Sequence, residues 1–272
     1  MILSIEGEEA TGKTSLALTA PLKVVSFQFD MGAERAVLGA RYEEYFKDLS
    51  INTVAYEDGG SDVPIIGVAD ITIFECPQPI QIDDIEVHGM VKLWNYFLVR
   101  LGQALREPEV RTIVVDTMTM ARRIKIEAYL ESLQEKARKS GSKMRERLLE
   151  IEYGAPNGAI RDIYTTCAAI KMNLVATHHL QDEYQDGMKG NEVVSSKTGK
   201  RILEGLNQTY RFVDVAIRMV KTGSDLTAKF TKCGYNLSLE SIPVKDPTWD
   251  RLMSTIEGSL GDRLVLPKRV KV

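Results

Sequence analysis

The chain has 272 residues, 35 Lys and Arg against 38 Asp and Glu, a formal net charge of −3 and 44% hydrophobic residues. That balance excludes collagen-like, low-complexity and wholly disordered chains, and it excludes a globally basic coat protein, so any surface for nucleic acid must be regional. One large domain with a sizeable core is expected. Cys76, Cys167 and Cys233 are far apart and odd in number, which argues against a disulfide framework or a structural zinc site and for a reducing, cytoplasmic setting. The run from Met1 to Ile5 meets glycine at Gly7 and leaves no room for a signal peptide, and no stretch has the length of a membrane span. No membrane partner is expected.

Short β-branched or aromatic runs predict buried strands at Ile2 to Ile5, Val24 to Phe29, Thr112 to Val115, Asn173 to Thr177 and Val213 to Val220. Helical spacing falls between them, at Lys13 to Ala20, Gly89 to Arg106, Met120 to Lys139 and Ala159 to Lys171. This alternation predicts an α/β fold, a mostly parallel sheet flanked by helices. Residues 51 to 87, with Gly59, Gly60, Pro64, Pro77 and Pro79, are less regular and are expected to hold short strands or an insertion, without a place assigned in that sheet. A late antiparallel hairpin is expected from Ala216 to Val220 and Thr227 to Lys232, around Thr222 to Asp225. The core is expected over 1–235, with a peripheral, proline-containing segment over 236–272.

The decisive motif is Gly7-Glu8-Glu9-Ala10-Thr11-Gly12-Lys13-Thr14, with Ser15 beside it, between a predicted strand and a predicted helix. Glycines let the backbone curl so that successive N–H groups face inward, and the helix start adds its positive end, which together make a phosphate cradle. Lys13 supplies a mobile cation for the β- and γ-phosphates, and the Thr14 hydroxyl is placed for Mg²⁺. Glu8 and Glu9 sit poorly beside a triphosphate, so their side chains are expected to point away.

Asp116 ends the strand-like run 112–115 and is the expected second ligand of Mg²⁺, with Thr117 a candidate to orient it. The run 173–177 ends in His178-His179, at the strand end where such sheets bind ligands, so either histidine is a candidate sensor of the γ-phosphate. With His88 the only other histidine, zinc is not expected.

The ordered series GEEATGKT, VVSFQFDMGAER, TIVVDTMT, NLVATHH, TGKRILEGLNQTYRFVDVAIRM and TAKFTKC resembles the phage-encoded RecA-like P-loop ATPases. These are single-domain recombinase or annealing-associated proteins often described only as AAA-type nucleotide-binding proteins. The resemblance covers roughly residues 1 to 235 and implies ATP as the nucleotide. It also implies a carboxylate after the second strand that polarises the attacking water. Asp30 and Glu34 are the candidates; Gly32 stands where RecA has its glutamate, and Glu34 is favoured slightly for reach.

The same resemblance implies two segments that bind single-stranded DNA. The first is Gln134 to Arg147, with Lys136, Arg138, Lys139, Lys143, Arg145 and Arg147, interrupted at Gly141. The second is Gln181 to Arg201, with Lys189, Lys197, Lys200 and Arg201, expected to be a loop that orders on a partner. It implies self-association into a ring or filament in which Lys229 and Lys232 act across the interface, and a single-strand-binding protein as a further partner. The phage-like series implies the host cytoplasm. A P-loop small-molecule kinase and an ATP-controlled protein-assembly module without DNA binding remain alternatives, the first because it shares the loop and the parallel sheet.

Overall fold

The first strand, β1 (Ile2–Gly7), is buried along its whole length, as a run of apolar residues between two parallel neighbours must be. In this computed structural model, which describes residues 1–39, 41–57, 69–82, 85–189 and 192–270 and no side chain within 188–194, the chain continues through α1 (Lys13–Leu18), β2 (Val24–Gln28), α2 (Ala33–Leu38), α3 (Glu43–Phe46), β3 (Ile51–Val54), β4 (Ile71–Glu75), α4 (Met90–Arg106) and β5 (Thr112–Asp116). There follow α5 (Met118–Ser140), α6 (Gly154–Ala169), β6 (Asn173–His178), β7 (Leu180–Lys189), β8 (Glu192–Leu203), α7 (Thr209–Phe212), β9 (Val215–Thr222), β10 (Asp225–Cys233), β11 (Pro243–Lys245) and α8 (Trp249–Leu260).

Among the described residues nine strands form one sheet in the order β11-β10-β9-β1-β6-β5-β2-β4-β3. Every neighbouring pair from β9 to β3 is parallel, and β10 runs antiparallel to β9 and β11. One face packs on α4, α5 and α6 through Leu93, Phe97, Ile124, Ile160 and Tyr164. The other packs on α1, α3 and α8 through Leu16, Leu18, Phe46, Trp249 and Ile256. A mostly parallel sheet covered on both faces by helices, with a late hairpin, is the α/β fold expected from the alternation of elements.

Three elements differ from the sequence reading. The unplaced region supplies β3 and β4, and β4 extends the sheet by pairing with β2; Gly59, Gly60 and Pro64 lie outside the described residues. The stretch 181–201, expected as a loop, is folded as the antiparallel hairpin β7–β8. Its strands pair with each other outside the main sheet, so neither face carries the apolar alternation that marks a half-buried strand.

The third difference is the C-terminal segment, which is not peripheral. β11 pairs with β10, and Leu239, Val244, Trp249, Leu252 and Ile256 are buried with the core around α1. Full burial of such side chains is worth roughly 1.5–3 kcal/mol each. Thr248 caps α8 by accepting from Arg251 N. The Trp249 N–H donates to Thr19 Oγ1 at 2.8 Å, and Tyr42 donates to the Pro247 carbonyl at 2.7 Å. Helix α8 is thereby fixed against the back of α1. Arg269 donates to the carbonyls of Leu105, Glu107 and Val110 at the end of α4.

Candidate functional site

The carboxyl ends of β1, β2, β5 and β6 lie side by side in the sheet, which brings the loop after β1, Asp30, Asp116 and the two histidines to one edge. The loop after β1 can exist only with its glycines. A Cβ on Gly7 would lie 2.8 Å from Thr11 Oγ1 and 3.0 Å from the Met219 carbonyl oxygen, and Gly12 has φ +78 with Leu226 Cδ1 2.9 Å from where a Cβ would be. Lys13 Nζ donates to the carbonyls of Gly7 at 2.8 Å and Glu8 at 2.7 Å, and Thr11 Oγ1 donates to the same Glu8 carbonyl. Burial lowers the Lys13 pKa, while Asp116, Asp30, Glu8 and Glu9 act to keep it charged. Ser15 turns away from the loop and donates to the Ala36 carbonyl on α2. A cleft of about 650 Å³ is lined by Glu9 to Ser15, Asp30, Gly32, Arg35, Asp116 and His179.

Asp116 is the buried acceptor at the floor of that cleft. Thr14 Oγ1 donates to its Oδ2 at 2.7 Å, and Thr177 Oγ1 donates to its Oδ1. Burial raises the Asp116 pKa, and the hydroxyls of Thr177 and Thr14 oppose that rise. Thr177 was not singled out from the sequence; its signal is a hydroxyl on the strand next to β5, one residue before the histidines. Thr117 caps α5 by accepting from Met120 N. Among the described residues no three His, Cys, Asp or Glu side chains gather as a metal site. One carboxylate oxygen touching one hydroxyl, open to phosphate oxygens, is instead the sparse oxygen set that suits Mg²⁺.

The two histidines have opposite surroundings. His178 is fully buried, its Nε2 is 3.2 Å from the Tyr164 hydroxyl, and burial depresses its pKa to about 3. It stays neutral in the core and is withdrawn from the cleft, which corrects its candidacy as a phosphate sensor. His179 lines the cleft, its Nε2 lies 2.8 Å from Asp30 Oδ2, and that hydrogen bond raises its pKa. Thr119 fixes this corner, accepting from His179 N and donating to the Glu204 carbonyl. Of the two candidate carboxylates, Asp30 is in the cleft; Glu34 is exposed in the first turn of α2 and is not part of the lining. The sequence preference for Glu34 is therefore reversed. Chain reach was the wrong criterion, because α2 begins only after Gly32 and carries Glu34 outward.

Beside the loop a second ion pair was missed. Glu6, fully buried at the end of β1, accepts from Arg218 Nε and Nη2, both at 2.8 Å, and from the Tyr210 hydroxyl at 2.8 Å. Lys232, expected to act across an interface, donates to the carbonyls of Tyr210 and Val213 in its own chain. Lys229 is exposed on β10.

Helix α5 ends at Gly141, where φ is +68, as the interruption in the first basic segment predicts. Lys139 pairs with Glu135 at 2.6 Å and Arg145 with Glu152 at 2.5 Å, whereas Lys136, Arg138, Lys143 and Arg147 are exposed with no ion pair among the described residues. In the second segment Lys197 pairs with Asp182 at 2.6 Å, and Arg201 pairs with Asp182 and with Glu8. Lys200 is exposed, and the Lys189 side chain lies outside the described residues. Two of the four cations of the second segment are thus answered by carboxylates. Glu8 does point away from the cradle, as expected, and it does so toward Arg201.

Among the described residues no helix is long and apolar enough to cross a membrane. No curated protein matches the chain. A family model described as an AAA domain matches residues 1–255, the span that holds the loop, Asp116, Asp30, His179 and most of α8. With that match, the chain belongs to the AAA-domain family and is an AAA-type P-loop ATPase.

Proposed function

We propose that the protein is an Mg²⁺-dependent ATPase of RecA-like architecture that acts on single-stranded DNA in phage recombination, annealing or replication, and that it works as a ring or filament. The observation that carries the hydrolytic part is the convergence of Lys13, Thr14, Asp116, Asp30 and His179 on one cleft. The loop amides and Lys13 hold the phosphates. Mg²⁺, held by Thr14 and Asp116, would neutralise charge on the β- and γ-phosphate oxygens. Asp30 accepts the proton of the attacking water, and His179 fixes the Asp30 carboxylate and stands where it meets the γ-phosphate. In this reading Lys13 leaves the Gly7 and Glu8 carbonyls when nucleotide enters.

Lys136, Arg138, Lys143 and Arg147, exposed and with no ion pair among the described residues, support a nucleic-acid surface at the end of α5, since phosphate contacts need cations not already held by carboxylates. An oligomer is supported only through the resemblance of the motif series, with exposed Lys229 the remaining candidate to reach a neighbour. Recruitment of a single-strand-binding protein rests on the same resemblance.

The test is Mg²⁺-dependent ATP hydrolysis with and without single-stranded DNA over a range of protein concentrations. DNA stimulation and a steep concentration dependence are expected, with Asp30→Asn and Asp116→Ala inactive and Glu34→Gln active. A rate indifferent to DNA and to concentration would remove the recombinase reading. Phosphoryl transfer to a nucleoside monophosphate would replace it with a kinase.

A further inference from the structure

Glu8 has two ends doing different things. Its carbonyl faces inward and accepts from Lys13 and Thr11. Its carboxylate faces outward and is gripped by Arg201, with Nε 3.0 Å from Oε1 and Nη2 3.0 Å from Oε2. This fork-to-fork geometry is the strongest form of such a pair. Arg201 sits near the root of the β7–β8 hairpin, where its remaining donors reach the Leu180 carbonyl at 2.9 Å and Asp182 at 3.1 Å. The hairpin is displaced from regular pairing between Asp182 and Tyr184, where Arg201 faces Asp182 but Lys197 faces Tyr184. Such an irregularity re-aims the neighbouring side chains. Directly before Leu180 stands His179, so the hairpin begins where the cleft ends. A second hollow of about 500 Å³, lined by Glu8, Glu9, His179, Arg123, Arg201 and Glu204 among others, adjoins the cleft there.

We infer that Arg201 is a positioning residue of the nucleotide site: by neutralising and holding the Glu8 carboxylate it lets the phosphate loop accept a triphosphate, and it makes the β7–β8 hairpin part of that site. A carboxylate one residue into the loop repels the incoming phosphates, and a guanidinium clamped on it offsets most, though not all, of that repulsion. Because the carbonyl of the same residue holds Lys13, movement of Lys13 onto phosphate is felt at the Glu8 backbone and passes through its side chain to the hairpin root. The coupling runs both ways, so a ligand that draws Arg201 off Glu8 weakens nucleotide binding by the factor by which nucleotide weakens that ligand. The inference rests on the ATPase reading of the cleft and assigns Arg201 to nucleotide rather than to DNA.

The experiment is a titration of the full chain with ATP and with ADP for the wild type, Arg201→Ala, Glu8→Gln and the double variant, at low and high salt. Arg201→Ala is expected to weaken ATP at least about fivefold, the low end of site-to-site couplings, and ADP less, because the γ-phosphate adds charge. Glu8→Gln is expected to tighten ATP, and the double variant to bind like Glu8→Gln alone. High salt should shrink the differences. Equal weakening by both single variants means a merely structural clip and overturns the inference, as does an unchanged ATP affinity in Arg201→Ala. If Arg201→Ala does not fold, Arg201→Lys, which keeps the charge and loses the fork, should fall between wild type and the expected loss, and wild-type affinity there overturns the inference equally. Failure of the wild type to bind ATP at all would overturn the ATPase reading and this inference together, whereas ATP binding with additive single effects overturns the inference alone.

Discussion

The phosphate cleft and the β7–β8 hairpin meet at Glu8 and are built on opposite principles. In and beside the cleft three charges are buried and answered: Asp116 by two hydroxyls, Lys13 by two carbonyls, Glu6 by Arg218 and Tyr210. In the hairpin the charges are exposed and answered by one another, Lys197 and Arg201 by Asp182. A buried group is costly to leave without its partner, whereas an exposed pair already has water. Perturbation should therefore be severe in the first region and slight in the second.

The largest effect is expected at the buried pair. Arg218→Met leaves the fully buried Glu6 carboxylate without its cation and should cost about 3 kcal/mol or more in urea unfolding. Glu6→Gln should cost less, because the remaining Arg218 is partly exposed; the reverse ranking would break the comparison. Next is Lys13→Ala, expected to lower ATP turnover by about a hundredfold or more, as loss of a charge-stabilising donor does, with a native-like circular dichroism spectrum as the control for folding. An unchanged rate would remove the cleft as the site.

A smaller effect distinguishes the adjacent histidines by pH. The folded His178 has a pKa depressed to about 3, so below its ordinary value the unfolded chain binds a proton that the folded chain refuses. Stability should fall as pH drops from about 6.5, by up to about 1.4 kcal/mol per unit. His179, raised by Asp30, acts in the opposite sense: its contribution is present below the ordinary histidine range and is lost as pH rises through its raised value. Urea unfolding at several pH values should show a shallower acid loss below about pH 6.5 in His178→Gln, whereas His179→Gln should lack the stability that the wild type gains as pH falls toward about 6.5. The smallest change is expected for Lys197→Ala, within about 0.5 kcal/mol because its pair with Asp182 is exposed. A larger loss would mean that the hairpin is no mere surface ribbon.

The same contrast explains what the sequence disclosed. Strands β1, β2, β5, β6 and β9 were legible because each is a short apolar run within the sheet, and the loop was legible because Gly7, Gly12 and Lys13 have few substitutes. The hairpin was hidden because pairing without a buried face leaves no alternation, and its Gly and Ser content mimics a loop. Helix α8 was present in the spacing of Trp249, Leu252, Met253 and Ile256 after the capping Thr248, but Pro243 and Pro247 drew attention to the breaks instead. The choice between Asp30 and Glu34, and between His178 and His179, depends on which way one side chain turns. No periodicity encodes that.

The bond from Trp249 to Thr19 and the packing of α8 on α1 also bear on how the protein is made. A ribosome delivers the Thr19 end of α1 230 residues before Trp249, the first residue of its buttress. Until Trp249, Leu252 and Ile256 have emerged, α1 packs on the sheet and on α2 but lacks the cover that α8 adds, and the nascent chain holds its phosphate loop on an incompletely buried helix. Capacity for nucleotide should rise abruptly once α8 has emerged, so that a chain interrupted before Trp249, although it carries every residue of the cleft, is a candidate for chaperones rather than for ATP.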